Sequence, residues 1–182
     1  MLKTLTKSLS HPLPVIGICA SGSNAGKTTL ITQLIPEMAK HNLRVSVIKH
    51  AHHQFDIDHK GKDSYQIREA GAVQTLIASN KRWALMTEFA LEPDLDDLIA
   101  KFDNPYADLI LVEGFKQANI PKIEVHRPSL NMPLLAKQDT NIVAVASDSA
   151  LNLAHIPVLD LNNIAAIAAF IIHHLSLSTQ SA

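Results

Sequence analysis

The sequence predicts an α/β protein with a mostly parallel sheet, and three features carry that prediction. Apolar runs of strand length alternate with amphipathic segments along most of the 182 residues, the pattern of a parallel sheet with helical crossovers. The run Leu109-Ile110-Leu111-Val112 is apolar at every position, as a strand buried on both faces must be. Finally, the apolar stretch Val15-Ile16-Gly17-Ile18-Cys19-Ala20 enters a turn of small residues, Ser21 to Gly26, and leaves it in a helical pattern opening at Lys27-Thr28-Thr29-Leu30. A strand, a small-residue turn and a helix in that order place a ligand site at the carboxyl edge of such a sheet.

Strands are expected at Val15–Ala20, Val45–Lys49, Val73–Ala78, Trp83–Thr87, Leu109–Glu113, Ile123–His126, Ile142–Ala146 and Pro157–Leu159. Helices are expected at Lys27–Lys40, Ser64–Ala70, Leu95–Phe102 and Ile164–Leu175. Pro36 should kink or shorten the first helix, because it lacks the N–H of the helical ladder. Gly71 suits the stop of the second, and Asp63 or Ser64 its cap. The link Ser79-Asn80-Lys81-Arg82 is too short for a parallel crossover, so its strands should form an antiparallel hairpin added to the sheet. There is no internal repeat or low-complexity linker. The expectation is one domain over 14–175, a short flexible extension over 1–13 and a frayed tail over 176–182.

Composition narrows the class. Charged residues make up 18% of the chain and mean hydropathy is +0.09, values of a globular protein with a proper core. Sixteen basic against seventeen acidic residues give a formal net charge of −1, without the basic excess of a nucleic-acid-binding surface. The lone Cys19 cannot form an internal disulfide and reads as core. No apolar run is long enough for a membrane span, and Met1 to Ser10 lacks the apolar region of a secretory signal. The expected location is cytoplasmic.

The turn carries the chemistry. Backbone N–H groups of Ser23, Asn24, Ala25, Gly26, Lys27, Thr28 and Thr29, at a helix N-terminus, converge on a point suited to phosphate oxygens. Lys27 adds a full charge at the outer phosphates, and the Thr28 hydroxyl can ligate Mg2+. The full pattern wants glycine five residues before Gly26, where this chain has Ser21, with its glycine at position 22. The bland alternative is a helix start capped by Ser23 or Asn24, which leaves the lysine unexplained. A triphosphate site also needs an acidic residue from a neighbouring strand. Glu113, ending the buried strand before Gly114, is the candidate.

The segment Lys49 to Ser64 is a long polar loop rich in His and Asp, and such loops usually have work to do. Asp56 or Asp58 is a candidate to reach Mg2+ through water or to orient the attacking water. Lys49, His50, His52, His53, Lys60 and Lys62 offer donors to a phosphate-bearing ligand or acidic partner. The His-x-His-His spacing matches structural zinc sites poorly. For the base, guanine offers two adjacent donors that one carboxylate can accept. Asn80-Lys81-Arg82-Trp83 lacks the Asp of the usual guanine reader, while Asp148 follows the strand Ile142–Ala146. Asp148 is therefore either the base reader or a turn residue.

With these motifs in view, the chain resembles the molybdopterin-guanine dinucleotide biosynthesis protein B (MobB) family from about Pro14 to Leu175. The resemblance rests on Ser-Asn-Ala-Gly-Lys-Thr-Thr-Leu, Ile-Lys-His-Ala-His-His-Gln-Phe-Asp-Ile-Asp, Gly-Lys-Asp-Ser-Tyr, Arg-Trp-Ala-Leu-Met-Thr-Glu, Leu-Ile-Leu-Val-Glu-Gly-Phe-Lys and Val-Ala-Val-Ala-Ser-Asp. It implies a P-loop NTPase three-layer sandwich, a homodimer, and GTP bound with Mg2+ and hydrolysed slowly. It also implies an accessory role beside the guanylyltransferase MobA, which joins GMP to molybdopterin. By motif, Asn24 to Thr29 would bind phosphate, Thr28 and Glu113 would serve Mg2+, and the His-rich loop would lie near the site.

The resulting expectation is a GTP-binding adapter that is at most a slow GTPase, with Lys27 as a phosphate clamp and Asp56 or Glu113 helping to place water. No arginine occupies a finger position in the motif, which fits slow turnover; Arg82 or a partner chain is the candidate source. Two other readings use the same turn. One is a small-molecule kinase, although Arg44, Arg68, Arg82 and Arg127 are too scattered for an arginine-rich lid. The other is a scaffold in which nucleotide only orders the His-rich loop.

Overall fold

The computed structural model describes residues 13–51, 55–102 and 105–179. Strands β1 (Val15–Cys19), β2 (Val45–Lys49), β5 (Leu109–Glu113), β6 (Lys122–His126), β7 (Ile142–Ser147) and β8 (Val158–Asp160) form one six-stranded sheet in the order β2-β5-β1-β6-β7-β8. Every neighbouring pair is parallel. The central position of β1 follows from its composition: all of Ile16, Ile18 and Cys19 are buried, as are all five residues of β5 beside it.

Helix α1 (Lys27–Ala39) and helix α4 (Ile164–His174) cover one face. Leu30, Leu34 and Met38 of α1 and Ile167, Ala168 and Ile171 of α4 join Ile16, Ile18, Leu109, Leu111, Ile123 and Val125 in a single core cluster. Spacings of three and four residues put each helical set on one side. Pro36 lies inside α1, which still runs to Ala39, because buried Met38 anchors the last turn. Asn163 caps α4 through its side chain, accepting from Ala166 N–H at 3.0 Å. On the opposite face Cys19, Ile142 and Val145 pack against Leu134, Leu135, Leu151 and Ile156, so irregular chain and a short 3-10 turn at Leu135–Lys137 do there what helices were expected to do. Burial pushes the Cys19 thiol up to about 12, leaving it an inert core side chain.

The absence of a linker signal predicts a single domain, but the chain forms two compact units, and the smaller is continuous from Ala51 to Asp97. It contains α2 (Asp63–Glu69), β3 (Gln74–Ala78) and β4 (Trp83–Thr87). The helix α3 (Leu95–Ile99) spans its end, so no Pro/Gly-rich link marks the boundary. The hairpin pairs antiparallel as expected, Ala78 opposite Trp83 and Leu76 opposite Leu85, but as a two-stranded sheet of its own. Helix α2 starts one residue early: extended Lys62 stands at its cap, with no side-chain cap bond, and Asp63 is already helical. Gly71 takes the left-handed conformation (φ 103°) expected after α2.

Candidate functional site

From β1 the chain turns through residues 21–26 into α1. Asn24 (φ 61°) and Gly26 (φ 103°) are left-handed, a conformation these two residue types adopt most readily. Gly26 is the residue before the first helical turn. No side chain caps α1, and its first turn carries no acidic residue. Capping by Ser23 or Asn24 is therefore not what this turn does, and its leading N–H groups receive no side-chain cap, an arrangement that can accept an anion. Lys27 folds back along the turn, its Nζ donating to the Gly22 carbonyl at 3.1 Å.

Thr28 and Glu113, 85 positions apart in sequence, meet: Thr28 Oγ1 donates to Glu113 Oε1 at 2.8 Å. Parallel register sets Lys49 beside Glu113 at the carboxyl ends of β2 and β5. Lys49 Nζ donates to Glu113 Oε2 at 3.0 Å and to Thr28 Oγ1 at 3.3 Å. A hydroxyl and a carboxylate are the hard oxygen donors that Mg2+ takes. An ammonium already rests against both, so the donor set fits a cation.

Beyond Glu113 the backbone reverses through two left-handed residues, Gly114 (φ 96°) and Phe115 (φ 45°), while His50 N–H donates to the Glu113 carbonyl at 2.9 Å. A Cβ on Gly114 would stand 2.7 Å from His50 Cβ and 3.7 Å from His50 Cα. Gly114→Ala is therefore expected to cost about 2–4 kcal/mol, from the left-handed penalty and the clash together. Denaturant unfolding measures it; a loss below about 0.5 kcal/mol would show that the turn relaxes freely.

On the other flank of the turn, Arg127 follows β6. Its Nε donates to the Ala25 carbonyl at 3.0 Å, and its Nη1 pairs with Asp148 Oδ2 at 2.5 Å. One guanidinium thus joins the turn before α1 to the end of β7. A cleft of about 180 Å3 opens here between Gly26, Thr29, Gln33, Arg127 and Asn162. Sequence reasoning passed over Arg127; the available signal was its place just beyond the carboxyl end of a strand neighbouring β1, where ligands bind in open α/β sheets.

The other sequence-predicted residues lie in the smaller unit. Asp56 Oδ1 and Asp58 Oδ1 accept from Arg68 Nη2 at 3.1 Å and 3.3 Å, so Asp56 sits in an ion pair within its own unit. Asp58 is buried, and its Oδ2 has no hydrogen-bond partner among the described residues. Lys60 is exposed, and Lys62 occupies the cap position of α2. His52 and His53 lie outside the described residues, as do positions 1–12 and 180–182. Among the described residues no three His, Cys, Asp or Glu side chains form a group able to hold a metal ion.

This arrangement can be set beside known proteins. The family model described as molybdopterin guanine dinucleotide synthesis protein B (MobB) matches residues 15–148. The chain belongs to the MobB family. The match takes in every residue that meets at the turn: Lys27, Thr28, Lys49, Glu113, Arg127 and Asp148. This MobB-family chain is 44% identical over 169 residues to the molybdopterin-guanine dinucleotide biosynthesis adapter protein of Haemophilus influenzae, covering 91% of this chain and 93% of that one. It is 46% identical over 156 residues to the protein of the same name from Escherichia coli, covering 84% and 89%. A crystal structure of molybdopterin-guanine biosynthesis protein B superimposes with a TM-score of 0.70 at 29% identity, over 89% of this chain and 99% of the other. The fold of this chain is the P-loop architecture expected from the sequence, a mostly parallel sheet with an added antiparallel hairpin.

Proposed function

We propose that this MobB-family chain is a GTP-binding adapter of molybdopterin guanine dinucleotide biosynthesis with weak Mg2+-dependent GTPase activity. The observation that carries the reading is the meeting of Thr28 Oγ1 and Glu113 Oε1 at 2.8 Å beside a helix start that no side chain caps. In this reading the N–H groups of Ser23 to Thr29 hold phosphate oxygens, and Lys27 leaves the Gly22 carbonyl to clamp the outer two. Thr28 and Glu113 hold Mg2+, which when bound neutralises charge on those phosphates. Asp56 already accepts from Arg68, and its assigned part is to order the loop before α2; placing the attacking water falls to Glu113. Arg127 is held by Ala25 and Asp148 and gives no finger at the outer phosphate, in keeping with slow turnover.

The nucleoside is assigned to the cleft beside Arg127. Asp148 does not line that cleft; its assignment as the guanine reader rests on its pairing with Arg127 and on the carboxylate lone pairs that Arg127 leaves open, since each oxygen accepts twice. The relatives are named adapter proteins of molybdopterin-guanine dinucleotide biosynthesis, and an adapter role there fits a partnership with the guanylyltransferase MobA and its molybdopterin substrate. Self-association into a homodimer is supported by the hairpin, whose Leu76, Trp83 and Leu85 share one exposed apolar face, the kind of surface that marks a protein contact. No helix among the described residues is long and apolar enough to cross a membrane; we place the protein in the cytoplasm.

Displacement of labelled GTP tests the nucleotide assignment. Unlabelled GTP and GDP should compete, and ATP should compete at least about tenfold more weakly, because a carboxylate placed for two donors is left half-paired by adenine. Equal competition by ATP would remove Asp148 from base recognition. Failure of all three nucleotides to displace the label would remove the site.

A further inference from the structure

Lys49 and Glu113 end adjacent strands in register, so neither side chain has to search for the other. The ammonium contacts two oxygens at once, 3.0 Å from Glu113 Oε2 and 3.3 Å from Thr28 Oγ1. The Glu113 side chain is 11% exposed and that of Lys49 57%, so the ammonium closes over the pair from the solvent side. An ordinary surface ion pair neutralises one carboxylate. Here one cation satisfies the hydroxyl and the carboxylate together, as a bound metal ion would. The lone pairs it uses are those a divalent cation needs, and both cations cannot hold them together.

We propose that Lys49 is a resident ammonium at the metal position. It holds Thr28 and Glu113 assembled when no metal is bound, competes with the divalent cation for them, and supports phosphate binding in the absence of metal. The proposal rests on the reading of Thr28 and Glu113 as metal donors. Its physical basis is the near-buried Glu113 carboxylate, which without a cation would face an incoming triphosphate with like charge. Lys49 removes that repulsion in advance. Because its outer side is open to water, the pair is screened and costs little to break, so a divalent cation arriving with nucleotide displaces it. Lys49 then swings on its four-carbon stem toward the phosphates, where its charge is still useful.

Lys49→Met keeps the stem and removes the charge. In nucleotide-free protein, Mn2+ titrated against the free-ion paramagnetic resonance signal should bind the variant about fivefold more tightly than the native chain. In EDTA, GTP should bind the variant about tenfold more weakly, while at saturating Mg2+ the loss should be markedly smaller. Lys49→Arg should fall between the two in both measurements. Unchanged or weaker Mn2+ binding by Lys49→Met would overturn the proposal, as would an equal loss of GTP affinity with and without metal, which marks a plain phosphate contact. Glu113→Gln separates the two levels. If it leaves Mn2+ binding intact, the metal-donor reading itself fails; if it abolishes binding while Lys49→Met changes nothing, only the role of Lys49 fails. Lys49 sits at an exposed strand end, and an unchanged melting temperature checks that the variant is folded.

Discussion

Lys27→Ala is expected to weaken GTP binding about 10- to 100-fold while leaving the fold nearly untouched. The binding loss follows from the charge: a hydrogen bond from an ammonium to a phosphate oxygen is worth about 1.5–3 kcal/mol, and no other described lysine follows the turn directly at the helix start. The small stability effect follows from what Lys27 does in the chain itself, where among the described residues its Nζ bonds to the Gly22 carbonyl alone. That carbonyl can turn to water at little cost. Titration of a fluorescent GTP analogue into native and variant protein, with melting curves alongside, measures both. Equal affinities would overturn the phosphate-site assignment, and a large fall in melting temperature would make Lys27 a structural residue.

The largest loss of stability should come from a residue outside the candidate site. Lys122, at the start of β6, is 1% exposed. Its Nζ donates to the Ala118 carbonyl at 2.6 Å and pairs with Asp139 Oδ2 at 2.9 Å. A Cβ on Gly17 in neighbouring β1 would lie 2.7 Å from Lys122 Cγ, so the lysine stem lies across the place where any other residue would carry a side chain. Asp139→Ala strands that ammonium in the interior and should cost about 3–5 kcal/mol. Adding Lys122→Met should restore much of it, since an apolar chain of similar length needs no partner. A double variant as unstable as the single one would show that the cost lies elsewhere.

The same pair predicts an acid dependence. Burial alone would raise the Asp139 carboxyl, but the Lys122 ammonium and the Asn141 N–H outweigh it and hold it below the usual range. A carboxyl whose folded value lies below its unfolded value of about 3.9 contributes stability fully above that pH. The contribution is lost as pH falls through the lowered folded value. Native protein should therefore lose stability below about pH 4 more steeply than the Asp139→Ala variant. Parallel curves for the two would remove Asp139 from the acid response.

Much of this architecture was legible because strand and helix periods are local. Leu109–Glu113 announced a doubly buried strand with a carboxylate at its end, and the four-residue link before Trp83 announced a hairpin. The places where the structure differed depend on distant partners. Covering the second face with irregular chain, and dividing the chain at Ala51 and Asp97, left no mark in composition. Lys62 rather than Asp63 at the start of α2 is a difference of a single residue, at the least constrained point of any helix.

The sequence by itself determined the small-residue turn before α1, the placing of Lys27 and Thr28 at the helix start, and the carboxylate that ends β5 at Glu113, since each follows from residue type and short-range order. Only the tertiary structure decided that Lys49 stands against that carboxylate and that Arg127 ties Ala25 to Asp148. It alone also gave Asp56 to Arg68. Register between parallel strands is set by long-range pairing through helical crossovers, and it is register that chooses which charged side chains become neighbours at the carboxyl edge.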